Sequence, residues 1–144
     1  MQTVVNSTDL SPRLRLAITR TARRLRQEAD GGLSPSLTAA LATLERHGPL
    51  TPSRLAEIER IQRPTVTRLL ATLEKDGLVE RVGDPEDGRV SIVSITKQGN
   101  ALVKKLRSRK NAYLSKRLRT LDDHELATLE LATAILERIL EEPA

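Results

Sequence analysis

Apolar residues recur along this chain at helical spacing, interrupted once past the middle by a short stretch that alternates instead. From about Leu10 to Glu28, Leu10, Leu14, Ala17, Ile18 and Leu25 share one inward face, and Gly31-Gly32 ends that helix. Ser34-Pro35 opens a second helix carrying Leu37, Ala40, Leu41 and Leu44, which closes near His47-Gly48. Thr51 as N-cap with Pro52 behind it predicts a short third helix, with Leu55, Ala56 and Ile58 inward. Glu59, Arg60, Ile61 and Gln62 make the turn that follows. A fourth helix begins at Arg63-Pro64 and ends at Lys75-Asp76-Gly77, where Gly77 supplies a positive φ. Its Val66, Leu69, Leu70 and Leu73 fall at i, i+3, i+4 and i+7, one buried stripe. Then Leu78–Val82 and Val90–Ile95 read as two strands around a polar turn from Gly83 to Arg89. Thr96 caps a long helix bearing Leu102, Val103, Leu106 and Leu114. Asp122 caps the last one, with Glu125 completing a capping box and Leu121 and Leu126 as a hydrophobic staple. Leu129, Ala132, Leu136, Ile139 and Leu140 extend its apolar stripe.

Two short helices followed by a hairpin with a charged tip have the layout of a winged DNA reader. In that layout a helix enters the major groove and the hairpin reaches neighbouring backbone or minor groove. The polar face of the fourth helix carries Thr65, Arg68, Thr72 and Lys75, with Thr67 at its boundary and Pro64 in the first turn. Short hydroxyls and one long guanidinium give hydrogen-bonding reach without bulk. An ordinary amphipathic surface helix has the same pattern; the attached helix and hairpin favour the reader. Ser53 and Arg54 face outward at the start of the third helix, where free N–H groups suit a phosphate. In the hairpin, Arg89 sits at the base of the turn, placed to enter a groove. Asp84 or Asp87 pairing with Arg81 or Arg89 would stiffen the loop; a solvated charged turn with weak ion pairs is the alternative.

Composition narrows the field. The chain has 144 residues, the size of one domain. It has no cysteine, which removes disulfides, thiolate metal sites and thiol redox sensing. Phe and Trp are absent and Tyr113 is the single aromatic, against a base-stacking single-strand or RNA binder. No apolar run is long enough to span a membrane. Residues 1–9 lack the basic and apolar parts of a signal peptide, so a cytoplasmic address is expected. His47 and His124 are isolated, and no metalloprotease, nucleophile-elbow or phosphate-loop motif is present. An enzyme, a metal and a cofactor are therefore not expected.

The net charge of +5 is unevenly placed. Thr51 to Lys97 is nearly balanced, whereas Arg13, Arg15, Arg20, Arg23, Arg24 and Arg26 crowd the first helix. Lys104, Lys105, Arg107, Arg109, Lys110, Lys116, Arg117 and Arg119 follow the hairpin, with no acid between Gln98 and Thr120. The last helix is acidic, with Asp122, Asp123, Glu125, Glu130, Glu137, Glu141 and Glu142. Basic helices beside an acidic one read as a charge match within the chain or between subunits; a track for DNA phosphates is the second reading.

The run Thr65-Val66-Thr67-Arg68-Leu69-Leu70, then Leu73 to Arg81, then Asp87-Gly88-Arg89, then Ile95-Thr96 with Gly99, resembles the MarR family of winged-helix regulators in order and spacing. Arg63-Pro64 stands where small Ser-type residues are common there. The resemblance implies a homodimer on a pseudo-palindromic operator, with Arg63, Thr65, Thr67, Arg68 and wing Arg89 touching double-stranded DNA. It also implies repression relieved by a small-molecule effector held between the winged part and the dimer helices, although the sequence itself shows no ligand chemistry.

The expectation is a mainly α single domain, 1–144, with a small β-hairpin wing. A winged helix–turn–helix part, 34–97, joins a helical dimerisation part, 9–30 and 98–142. The DNA-facing candidates are Ser53, Arg54, Arg63, Pro64, Thr65, Thr67, Arg68, Thr72, Asp87, Gly88 and Arg89. Leu10, Leu14, Leu129, Ala132, Leu136 and Ile139 are the dimerisation candidates, because terminal helices with long apolar stripes need cover. A winged-helix protein-interaction module without specific DNA binding is the competing class.

Overall fold

The computed structural model describes residues 4–83, 86, 88 and 91–141. Its elements run α1 (Ser7–Ala29), α2 (Pro35–His47), α3 (Pro52–Glu59), α4 (Arg63–Lys75), β1 (Val79–Gly83), β2 (Ser91–Ile95), α5 (Lys97–Leu118) and α6 (Asp123–Leu140). The mainly α fold with one antiparallel hairpin is the one the sequence predicts.

The helix starts follow from local chemistry. Ser34, Thr51 and Thr96 each accept a hydrogen bond from a first-turn backbone N–H. Asp122 and Glu125 form the reciprocal capping box. α1 begins earlier than expected, at Ser7, capped by Asn6 and with Pro12 inside it. The N–H that proline lacks would have met the carbonyl of Thr8, near an exposed end where water can replace it.

The core lies in the middle of the chain. Leu41 and Leu44 of α2, Leu55 of α3, Val66, Leu70 and Leu73 of α4 and Val93 of β2 are fully buried together. β1 and β2 pair from Val79 with Ile95 to Gly83 with Ser91. Leu50 adds a bridge on the other edge of β2, exchanging hydrogen bonds of 3.0 and 2.8 Å with Val93. Gly99 lets α5 lie close under the hairpin, since a Cβ there would come within 2.2 Å of the Leu78 carbonyl oxygen.

The terminal helices differ from the inward packing read off their sequence. On α1 only Ala29 is buried; Leu10, Ala17 and Ile18 are exposed, and Leu14 and Leu25 are half-buried. On α6 no residue is buried; Leu129 and Ile139 are exposed, and Ala132 and Leu136 are half-buried. The reason is packing: among the described residues α1 packs chiefly along α5, and α6 shares no substantial contact with another element.

Candidate nucleic-acid interface

α3 and α4 are joined by a turn that depends on one residue. Arg60 adopts the left-handed conformation, φ 55 and ψ 47, and its N–H reaches the carbonyls of Ala56 and Glu57. The buried Thr43 hydroxyl donates to the Glu59 carboxylate, tying the end of α3 to α2. α4 then lies with Val66, Leu70 and Leu73 in the core, while Leu69 is half-buried rather than part of the fully buried stripe.

The opposite face of α4 is free. Arg63, Pro64, Thr67, Arg68, Thr72 and Lys75 are exposed, and Thr65 is half-buried at the edge. The Thr67 hydroxyl donates to the Arg63 carbonyl at 3.0 Å and that of Thr72 to the Arg68 carbonyl at 3.1 Å. Both hydroxyl oxygens therefore keep acceptor capacity toward solvent. Ala71 is exposed among them, a small side chain that permits close approach. Its bare apolar surface is of the kind that suits a thymine methyl, and its residue type alone gives no sign of that.

The two helix starts differ. At α3 the Thr51 hydroxyl already accepts from the Arg54 N–H at 3.2 Å. At α4 the N-cap is Gln62, whose side chain makes no capping bond, so first-turn N–H groups stay open to an anion. The sequence pattern places the phosphate site at the start of α3, which Thr51 in fact caps; the lack of a Ser, Thr, Asp or Asn at position 62 is the local signal that favours α4. Arg63 donates to the Ser53 hydroxyl, so these two candidates form one unit linking the helices. Arg54 pairs with Glu57 at 2.9 Å, both largely exposed, a weak bond that leaves the guanidinium free to swing.

β1 follows α4 after the short turn Asp76-Gly77-Leu78, and Arg81 meets Glu74 at 3.0 Å, bracing the wing against the helix. Gly88 at the wing tip is exposed, with open space around its Cα. Asp84, Asp87 and Arg89, and with them the pairings expected inside the wing, lie outside the described residues. Among the described residues no group of three or more His, Cys, Asp or Glu is arranged to hold a metal, and no helix is long and apolar enough to cross a membrane.

Comparison with known proteins agrees with this geometry. The MarR family model matches residues 33–91, from the end of the first loop into β2. A helix-turn-helix transcriptional regulator from Mycobacterium leprae is 40% identical over 136 residues, covering 93% of this chain and 95% of that one. The chain belongs to the MarR family. As a MarR-type protein it is a transcriptional regulator with a helix-turn-helix, not an enzyme. Among solved structures, a transcriptional regulator protein from Pseudomonas aeruginosa PA01 superimposes with a TM-score of 0.85 at 30% identity, covering 97% of this chain and all of that one. A point mutant of MepR from S. aureus, solved bound to an oligodeoxyribonucleotide, shares the fold with a TM-score of 0.70 at 21% identity, over 92% of this chain and 98% of that one.

Proposed function

We propose that this MarR-type regulator is a cytoplasmic homodimer that binds a pseudo-palindromic operator in double-stranded DNA and represses from it. The observation that carries the reading is the free face of α4, where Arg68, Thr67 and Thr72 stand exposed beside an uncapped helix start. Arg68 reads a base edge, and Thr65, Thr67 and Thr72 fit closely around it. Arg63 with Ser53, Arg54 and the first-turn amides of α4 take phosphates. Arg89, with Asp87 and Gly88 in the wing, contacts the adjacent backbone or minor groove. Residues 34–97 form the reading part, and 9–30 with 98–142 form the dimerisation part, setting two readers about one helical turn apart. The oligodeoxyribonucleotide bound to MepR supports the choice of DNA as partner.

Release by a small effector between the winged part and the terminal helices completes the reading. The crevice there, at Ala29, Leu33, Thr38 and Leu106, has a volume of about 80 Å³. Small-molecule sites need roughly 300 Å³ or more, so this step requires α1 and α5 to move apart from α2.

The test is selection of duplexes from a random pool by the purified chain, followed by titration of selected and random duplexes at several salt concentrations. The expected result is a palindromic consensus and a log–log salt slope of about 0.9 per phosphate contacted. Equal affinity for both pools, or no response to salt, contradicts the reading and favours a protein-interaction module.

A further inference from the structure

The chain passes from α1 to α2 through a short joint, residues 30–34. Asp30 adopts φ 25 and ψ 81 there, a backbone conformation that a side chain disfavours, and Gly32 follows at φ 75. A residue keeps such a conformation only where its surroundings impose it. Here α5 supplies the surroundings. The Arg109 guanidinium donates to the carbonyls of Ala29 and Asp30, at 2.8 and 3.3 Å. Gly31 lies so close to α5 that a Cβ would come within 2.5 Å of a Leu106 methyl. Ala29 and Leu106 are both buried, so the joint is pressed onto α5 and bonded to it.

Two links cross between the reading part and the terminal helices, α5 itself and this joint. Among the described residues α1 and α2 share no substantial contact with each other, while both pack on α5. α2 packs in turn on α3 and α4, so a tilt of α2 carries the reading helix with it. α5 alone leaves the reading part free to tilt; the joint, bonded to α5, removes that freedom. A second bond from α5 to α2, Arg107 to Glu45 at 3.1 Å, is half in solvent and holds less firmly.

We infer that Arg109 is a positioning residue that determines half-site spacing: its bonds to the joint fix the distance and angle between the two α4 helices of a dimer. The inference rests on the proposed function, from which it takes the dimer and the operator. Arg109 itself touches neither base nor phosphate. Each base pair inserted between two half-sites moves one of them about 3.4 Å along the duplex and about 35° around it. Two rigidly held readers reject such a duplex, and loosely held ones accept it.

The experiment compares the full chain with Arg109→Ala, and uses Lys105→Ala as a control. Lys105 is exposed one turn earlier on α5, so its loss removes the same charge and leaves the joint alone. The first readout needs no DNA. The chain has no cysteine, so Lys75→Cys at the end of α4 gives each copy a single spin label. Arg109→Ala should broaden the distribution of label-to-label distances about twofold, and Lys105→Ala should leave it unchanged. The second readout is affinity for the selected duplex and for duplexes with one or two base pairs inserted between its half-sites. The unmodified chain and Lys105→Ala should lose at least about tenfold on insertion, and Arg109→Ala about threefold or less, with base preference inside each half-site retained. An Arg109→Ala dimer with the unmodified distances, or with undiminished spacing preference, overturns the inference and leaves the proposed function standing. The same change in Lys105→Ala assigns the effect to lost charge and overturns it too. So does an Arg109→Ala chain that no longer folds or dimerises, because the bonds then serve stability rather than spacing. An unmodified chain without any spacing preference overturns the operator reading and the inference together.

Discussion

The middle of this chain and its two ends use the same residues to different result. In the middle, Leu41, Leu44, Leu55, Val66, Leu70, Leu73 and Val93 are each under 2% exposed. At the ends, Leu10 is 43% exposed, Leu129 43% and Ile139 49%, although they too stand at helical spacing on amphipathic helices. Nothing in residue type separates the two sets. What separates them is company: α2, α3, α4 and the hairpin enclose one another, whereas among the described residues α1 packs chiefly on α5 and α6 shares no substantial contact with another element. An apolar stripe states that a face needs cover, not whether the cover is in the same chain.

The contrast breaks first at the core. Leu73→Ala should remove about 2–5 kcal/mol of unfolding free energy, because the fully buried site cannot collapse around the missing atoms. In urea its midpoint should fall by the same amount at low and high protein concentration. Leu136→Glu should act differently, weakening assembly by about 3 kcal/mol by placing a charge in an apolar interface. Sedimentation should then show monomer under conditions where the unmodified chain forms the proposed dimer. A stability loss that does not depend on protein concentration would mean that α6 folds against its own chain.

Gly99→Ala sharpens the boundary between the two parts. The added Cβ meets the Leu78 carbonyl at 2.2 Å and Ile95 at 2.7 Å, and the first is backbone that cannot step aside. The expected loss is about 1–3 kcal/mol, read by thermal or chemical unfolding. The smallest effect belongs to the turn between α3 and α4. Arg60→Gly relieves a left-handed residue at φ 55 but frees the unfolded chain, for a net gain of at most about 1 kcal/mol. A clear destabilisation would show that the Arg60 side chain contributes something beyond the turn.

These same regions differ in how far the sequence speaks for them. Ser34, Thr51, Thr96 and Asp122 place four helix starts correctly, since each cap is a local bond between residues three apart. The buried face of α4 is also local, one stripe at i, i+3, i+4 and i+7, and only Leu69 departs from it by sitting at its edge. Contacts between distant residues are not legible in this way. The bridge from Leu50 to Val93, the tie from Thr43 to Glu59 and the bond from Arg109 to the Ala29 carbonyl at 2.8 Å each need the fold before they exist. That last bond sets a cation at the C-terminal end of α1, where the helix dipole favours it. Of the candidate interface, the polar face of α4 followed from periodicity. The coupling of Arg63 to Ser53 did not, because it depends on how α3 and α4 meet, whereas the uncapped start at Gln62 is written in a residue type that periodicity does not weigh.

The central claim is that the exposed face of α4 reads duplex DNA, and Arg68 is the side chain that tests it most directly. The measurement is binding of the unmodified chain and of Arg68→Ala to the selected duplex and to its single-mismatch variants, titrated over salt. A guanidinium forked onto a base edge predicts a loss of roughly 1–3 kcal/mol on the selected site and relaxed preference at one base pair. If Arg68→Ala keeps both the affinity and the base preference of the unmodified chain, α4 does not read DNA through this face.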